Sequence, residues 1–302
     1  MATGSKKIII AALLANLGIA IAKFVAAFIT NSSAMLAEGV HSLADSANQV
    51  FLLIGIRLSQ RTPTKMHPYG FGMERYFWSF IVAMTLFAIG ATFSIYEGVL
   101  KTMHPHLIES VLVNVIVLGI SITLELFSFI AAYKEFNHLR GSMPVWTYIR
   151  TTKDPVTITV LFEDSAALLG LLVALCGVLL SELTGNMMFD GLASIIIGII
   201  LGAVAVVLAW ESKSLLIGEA ASDEDIQKLS AIIDSTNGVM LASDIMTMHL
   251  SPTSILVNLS LDFEKKLNSD QVEAITSSLE EQMKTAVPAV THVFIEASSF
   301  VR

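Results

Sequence analysis

Six long apolar segments dominate the first two thirds of the chain. They cover residues 8–30, 34–56, 76–100, 111–133, 156–181 and 187–210. Each is long enough to cross a hydrocarbon core of about 30 Å as an α-helix, which takes about 20 residues. The pattern therefore predicts an α-helical membrane protein with six transmembrane helices, and the even number of crossings puts both termini on one side.

The pattern changes to shorter and more polar segments after residue 215. Ser222 is a good helix start, because its hydroxyl can accept from the free backbone N–H groups of the first turn. The predicted elements are, in order, a helix to about residue 234, strands over 245–250 and 255–263, a helix over 270–286 and a strand over 292–297. We therefore predict a transmembrane domain, residues 1–215, and a small α+β domain, residues 216–302, with the order αββαβ.

Charge decides the orientation. Eleven Lys and Arg residues flank the predicted helices on the side of the termini, and only Lys101 lies on the other side. Because cytoplasmic loops carry the excess of Lys and Arg, we expect both termini and the α+β domain to be cytoplasmic, with the protein in the cell inner (plasma) membrane. The start of the chain lacks the pattern of a removable signal peptide, so we expect its first segment to remain as a helix.

Composition limits the class of protein and the residue types that could bind a metal. The mean hydropathy is +0.71 and 15% of the residues are charged, against about 25% in soluble domains. Cys176 is the one cysteine, which excludes a disulfide framework and a cysteine-rich zinc cluster. A metal site would therefore use His, Asp and Glu. Residues 216–302 carry 5 basic and 13 acidic residues, a charge that disfavours nucleic-acid binding.

A polar stripe in the second segment is the strongest functional signal. Its members, which fall on one helical face, are Glu38, His41, Asp45, Asn48 and Gln49. Charged groups at the bilayer centre are costly and are functional hypotheses by default. His41 and Asp45, one turn apart, offer the nitrogen and oxygen that zinc sites use. The alternative is a His–Asp hydrogen bond that locks helices together.

The fifth segment offers a second half of such a site. A rise of about 1.5 Å per residue places Asp164 at the depth of His41 and Asp45, near the midplane. Glu163 and Asp164 are about 100° apart around the helix, so both cannot face one ion. We predict Asp164 as a ligand, with Glu163 and Glu38 as further candidates.

Other polar residues in the spans have two interpretations. Lys23, Glu97, Glu125 and Asp190 could line a water or proton path, or they could pair between helices. For Lys23 we expect a structural partner, either Glu97 or Glu125. In the sixth segment Ser194, Gly198 and Gly202 follow at intervals of four, a spacing that lets membrane helices approach closely.

Three motifs resemble the cation diffusion facilitator family. They are AEGVHSLADSANQ at 37–49, HPYGFGMERYFWSF at 67–80 and LFEDSAALLGLL at 161–172. The resemblance is strongest to the branch with an ED motif in the fifth helix. It implies six transmembrane helices, a cytoplasmic metallochaperone-like domain, and a tetrahedral zinc site to which His41, Asp45 and Asp164 contribute.

The sequence departs from the family pattern at several positions. Val160 stands where the family has the fourth ligand, a histidine, so that Glu163 or Glu38 would have to complete the site. In the loop site His67 is present but Phe71 replaces the second histidine, and in the tail the positions that usually ligate metal hold Leu259, Ser298 and Glu296. We expect His249 and His292 to be structural or solvated.

The resemblance implies a carrier that exports a divalent cation, Zn²⁺ above others, by proton-coupled antiport with alternating access. Its expected partners are that ion, protons, the lipid bilayer and a second copy of the chain, with no cofactor besides the transported metal. We expect no enzyme activity, because no HExxH motif is present and no nucleophile lies beside a general base. The alternatives are a non-transporting regulatory or scaffold membrane protein of the same fold, a Mn²⁺ or Fe²⁺ carrier, and an ion channel.

Overall fold

The computed structural model describes residues 3–105 and 110–298. Within them the chain forms two compact units. The helices of the first part of the chain are α1 Thr3–Thr30, α2 Ser33–Ser59, α3 Glu74–Thr85, α4 Thr92–Met103, α5 Val111–Arg140, α6 Val145–Thr151, α7 Pro155–Thr184 and α8 Met188–Ile217. A π-helical turn, Leu86–Ala91, joins α3 to α4 without a break. Each predicted segment thus coincides with a long helix, and only the short α6 was not predicted.

Four helices of the described chain are long and apolar enough to cross a membrane, judged by length and composition. They are Glu74–Met103, Val111–Arg140, Pro155–Thr184 and Met188–Ile217. In α1 the stretch Asn16–Thr30 is a shorter apolar helix. The 27 residues of α2 are long enough to cross, but this helix carries the polar stripe, which lowers its apolar character.

Polar side chains fix the tight turn between α1 and α2. The carboxylate of Asp190, at the start of α8, accepts from the Ser32 hydroxyl at 2.5 Å and from the Ser33 amide at 2.7 Å. Lys101 donates to the Asn31 carbonyl at 2.6 Å, and Asn31 has a left-handed backbone. Because a helix start leaves free N–H groups, Asp190 acts as a cap for α2 supplied by another helix.

Two of the small residues of α8, Ser194 and Gly198, pack tightly against α4 and the π-helical turn before it, as the spacing predicted. A Cβ atom at Gly198 would lie 2.6 Å from Ile95 Cγ1 and 2.8 Å from the Ala91 carbonyl oxygen. Ser194 also donates its hydroxyl hydrogen to the Ser94 carbonyl at 2.8 Å. At Gly202 the nearest atom to an added Cβ would be Ala91 Cβ at 3.6 Å, an ordinary contact.

The second unit comprises Leu58–Tyr76, Thr151–Lys153 and the chain from Lys213 onward. Its elements are α9 Asp223–Asp234, β1 Val239–Ala242, β2 Met246–Ser251, β3 Ser254–Phe263, α10 Ser269–Ala286 and β4 Val290–Ala297. The central strand is β3, which pairs antiparallel with β1 and β2 and parallel with β4. The predicted boundary between residues 215 and 216 stays a prediction.

Alternation along β3 builds the core of this unit. Ile255, Val257, Leu259 and Leu261 are buried, and they pack with residues of α9 and α10. Successive strand residues point to opposite faces, so every second position of β3 faces the helices. Loop 58–76 belongs to the same unit, since the Tyr69 ring packs edge-on against His292 at 5.3 Å.

The predicted order αββαβ lacks one strand. The structure has β1, so the order is αβββαβ. This strand has four residues, three of them exposed, and it therefore lacks the alternation of apolar residues that marks a half-buried strand. Pairing with the C-terminal half of β3, rather than its own pattern, makes it a strand.

We predict that Gly198→Ala destabilises the protein more than Gly202→Ala. Both changes gain the same helix propensity, but only the methyl group at 198 overlaps the backbone of the neighbouring helix, an overpacking that costs about 1–3 kcal/mol. Thermal unfolding of the purified protein in detergent measures the difference. Equal melting temperatures for the two variants would contradict the close approach.

Candidate metal-binding site

Most of the polar stripe of α2 is buried, whereas Asp45 and Gln49 are partly exposed. Glu38, His41 and Asn48 are each 0% exposed, and Nε2 of His41 lies 3.5 Å from Oδ2 of Asp45. The i and i+4 spacing of a helix brings the two side chains together without help from tertiary contacts. An imidazole and a carboxylate therefore form a preorganised pair inside the membrane-spanning unit.

The His41–Asp45 pair has unused bonding capacity. Neither ring nitrogen of His41 has a hydrogen-bond partner among the described residues, and the same holds for Oδ1 of Asp45. A buried polar atom without a partner costs about 1–3 kcal/mol. The alternative of a His–Asp hydrogen bond that locks helices together has no support among the described contacts, because both residues lie on α2 and neither ring nitrogen of His41 makes a hydrogen bond. The free atoms are suited to an ion.

Lys23 of α1 makes a buried ion pair with Glu38. Its Nζ lies 3.1 Å from Oε2 of Glu38 and 2.7 Å from the Ser42 hydroxyl, and Lys23 is 1% exposed. The expected partner, Glu97 or Glu125, was wrong. Glu97 instead accepts from the Ser33 hydroxyl at 3.2 Å, at the other end of the helix.

The two acidic residues of α7 face different neighbours. Oε1 of Glu163 accepts from the Asn48 amide at 2.7 Å, which joins α7 to the polar stripe. Oδ2 of Asp164 accepts from the Ser128 hydroxyl of α5 at 2.9 Å. This separation follows from the turn of about 100° between successive helical residues.

The predicted ligands lie close together but do not form a closed site. Asp45 is near enough to interact electrostatically with Glu163 and Asp164 of α7, with Glu125 of α5 and with Lys23 of α1. In the part of the chain that the structure describes, no three His, Cys, Asp or Glu side chains converge as a metal site requires. The ligand set of His41, Asp45, Asp164, Glu163 and Glu38 stays a prediction.

Glu125 of α5 is a member of this group whose role the sequence left open. It lines a small cavity of about 10 Å³ together with Asp45, Ser42, Asn16 and Ile19, close to the least volume that holds one water molecule. From the sequence, a single glutamate in an apolar segment shows only that burying its charge in the membrane costs free energy; it does not show what the glutamate does. Its three-residue spacing from Ser128 is the signal that places it on the face toward α7.

The other metal sites of the resembled family are altered here. The ring of Phe71 packs against His67, with 4.6 Å between the ring centroids, where a second histidine would stand. In the tail Leu259 is 1% exposed within the core, and Glu296 accepts from the Ser260 hydroxyl at 3.1 Å. These residues form apolar packing and hydrogen bonds.

His249 of β2 has a structural environment. It is 4% exposed, and its Nδ1 donates to the Ser251 carbonyl at 3.2 Å. Burial lowers the pKa of His249 below its usual value of 6.5, and the contact with the Ser251 carbonyl offsets only part of this effect. The folded domain therefore holds this imidazole neutral.

The chain has a unit of apolar helices that contains buried polar groups without hydrogen-bond partners, and this unit is followed by an α+β domain. This combination is typical of multi-pass membrane transport proteins. Residues 9–217 match the model of the cation efflux transmembrane domain, and residues 221–298 match that of the cation efflux protein cytoplasmic domain. The chain belongs to the cation efflux family. The predicted helical membrane region followed by an α+β domain is thereby confirmed, and members of this family are transporters rather than enzymes.

Several curated proteins are similar to the chain. The human mitochondrial proton-coupled zinc antiporter SLC30A9 is 33% identical over 81% of this chain and 44% of its own length. Metal tolerance protein C4 of Arabidopsis thaliana is 31% identical, with 87% and 58% covered. The manganese efflux system protein MneP of Bacillus subtilis is 25% identical, with 96% and 95% covered. The chain thus spans about half the length of the zinc antiporters that it matches.

We predict that Lys23→Met destabilises the protein strongly, because it leaves Glu38 as an uncompensated buried charge. Breaking one side of a buried pair costs about 3–5 kcal/mol, whereas replacing both partners with apolar groups is nearly neutral. The double variant Lys23→Met with Glu38→Leu should therefore recover most of the loss. Thermal unfolding in detergent is the measurement.

The matched control is Lys134→Met, which removes an exposed lysine of α5. It should melt with the wild type. If Lys23→Met has the same melting temperature as the double variant and the wild type, the pair contributes nothing to the stability of the fold.

We also predict that the His249 ring titrates below pH 6.5, the value it has in an unfolded chain. As the pH falls below 6.5 the unfolded state binds a proton that the folded domain rejects, so stability decreases toward acidic pH. NMR of the histidine rings in the purified protein gives the midpoint, and His249→Gln assigns the signal. A midpoint at or above 6.5 would contradict a neutral buried imidazole.

Proposed function

We propose that the protein exports a divalent metal cation, Zn²⁺ above others, from the cytoplasm by proton-coupled antiport with alternating access. The observation that carries the proposal is the His41–Asp45 pair. Nε2 of the buried His41 lies 3.5 Å from Oδ2 of Asp45, and both ring nitrogens of His41 and Oδ1 of Asp45 have no hydrogen-bond partner among the described residues. In this proposal Asp164 reaches the same ion from α7. The family, and the zinc antiporters similar to the chain, support transport of a metal.

Proton coupling follows from the chemistry of the ligands. A metal binds neutral imidazole and ionised carboxylates, so protons leave these groups when the ion enters and return when it departs. His41 and Asp45 lie among further carboxylates, which can share the returning protons. The exchange of protons for metal then needs no separate proton site.

Manganese is the second candidate substrate. The proposed ligands are one imidazole and several carboxylates, and oxygen-rich sites suit Mn²⁺ better than histidine-rich sites do. The similarity to a manganese efflux protein points the same way. The fourth ligand decides between the two ions, and Glu163 and Glu38 are the candidates that the sequence offers.

The proposal includes the membrane in which the protein lies, its orientation there and its oligomeric state. We place the chain in the inner (plasma) membrane with both termini in the cytoplasm, on the argument from Lys and Arg in the loops. The related antiporters are named as mitochondrial, so a mitochondrial membrane is the alternative address. The match of the tail to the cation efflux cytoplasmic domain supports a homodimer.

We predict that His41→Ala and Asp45→Asn each lower zinc uptake into proteoliposomes by at least about 10-fold, since each removes a metal ligand. Uptake is measured with Zn²⁺ and with Mn²⁺ under an imposed proton gradient. The matched control is His138→Ala, which removes an exposed histidine of α5 and should leave uptake unchanged.

Two outcomes would sink the carrier proposal. Either the wild type moves neither ion, as a scaffold protein would behave, or the His41 and Asp45 variants move both ions at the wild-type rate. Flux that does not saturate and ignores the proton gradient would indicate a channel instead.

A further inference from the structure

The proposed site needs a ligand where Val160 replaces the histidine of the family pattern. One carboxylate oxygen of each of the two candidates from the sequence already has a partner in the structure. Glu38 is held by Lys23, whose positive charge at 3.1 Å opposes a second cation. Glu163 accepts a hydrogen bond from Asn48 at 2.7 Å. A third carboxylate in a better position would complete the site.

Glu125 occupies such a position. It lines the same small cavity as Asp45, and Asp45 lies next to His41, which is 0% exposed and has both ring nitrogens unpaired. The unpaired, buried imidazole of His41 lies next to Asp45, a residue that lines the cavity, and is an observation independent of the cluster of carboxylates. It indicates a group that binds something the protein itself does not supply.

The face of α5 also points to the site. Ser128, one turn after Glu125, donates its hydroxyl hydrogen to Asp164 at 2.9 Å. Residues three apart share a helix face, so Glu125 lies on the same face of α5 as Ser128, which contacts α7. Glu125 is within electrostatic reach of Asp164 and Asp45. The helix thus brings one carboxylate to the cavity and fixes another beside it.

We propose that Glu125 is the fourth ligand of the transported cation, taking the coordination position that Val160 cannot fill. The inference rests on the proposed function and deepens it. The site then has one nitrogen ligand from His41 and three oxygen ligands from Asp45, Asp164 and Glu125, contributed by α2, α7 and α5. An oxygen-rich set of this kind accepts Mn²⁺ more readily than a site with two histidines.

The first test removes the carboxylate without changing its size. Glu125→Gln in the full chain should weaken Zn²⁺ binding, measured by calorimetry on the purified protein, by at least about 10-fold. The matched control is Glu135→Gln, the same substitution at an exposed position of α5, and it should bind as the wild type does.

The second test restores a ligand from another helix. Val160 lies one turn before Asp164 on α7, so Val160→His in the Glu125→Gln background offers an imidazole to the same ion. This double variant should regain Zn²⁺ affinity. Its preference for Zn²⁺ over Mn²⁺ should also exceed that of the wild type, because imidazole replaces a carboxylate.

The outcomes separate this inference from the proposed function. If His41→Ala and Asp45→Asn abolish binding while Glu125→Gln binds within about twofold of the wild type, only the fourth-ligand assignment fails. It also fails if Val160→His restores no affinity. If His41→Ala and Asp45→Asn bind normally, the proposed function itself is wrong. Should Glu125→Gln aggregate, Glu125→Ala replaces it, and an affinity within about twofold of the wild type in that variant overturns the assignment.

Discussion

The membrane-spanning unit depends on the compensation of its buried charges. An isolated ion in an apolar medium costs several kcal/mol even after the protein relaxes. Lys23 and Glu38 compensate each other across α1 and α2, and Asp190 is satisfied by the helix start of α2. At His41 and Asp45, by contrast, three buried polar atoms have no hydrogen-bond partner among the described residues. This contrast distinguishes groups that hold helices together from groups that are free to bind an ion.

The helix α5 links these two roles. Its apolar sequence is typical of a helix that faces lipid. Even so, its Ser128 donates a hydrogen bond to Asp164, and its Glu125 lines the same cavity as Asp45. In the proposed site, ligands from α2, α5 and α7 would tie three helices to one ion. A change in the position of any one helix then alters the coordination, which is the physical requirement for coupling ion release to a conformational change.

The tail has kept its fold while its ligand positions have changed. Leu259 contributes to the core, and His249 is buried against a backbone carbonyl. Apolar packing between β3 and the two helices forms the core of this unit.

The sequence by itself determined the six helices, the α+β tail and the pairing of His41 with Asp45, because periodicity and i, i+4 spacing are local properties. Only the tertiary structure decided that Lys23 pairs with Glu38, that β1 is a strand, and that Glu125 lies beside Asp45. Each depends on contacts between segments far apart in the chain. Spacing along one helix does not show which neighbouring helix faces it, so the packed bundle was needed to show which contacts Glu163, Asp164 and Glu125 make.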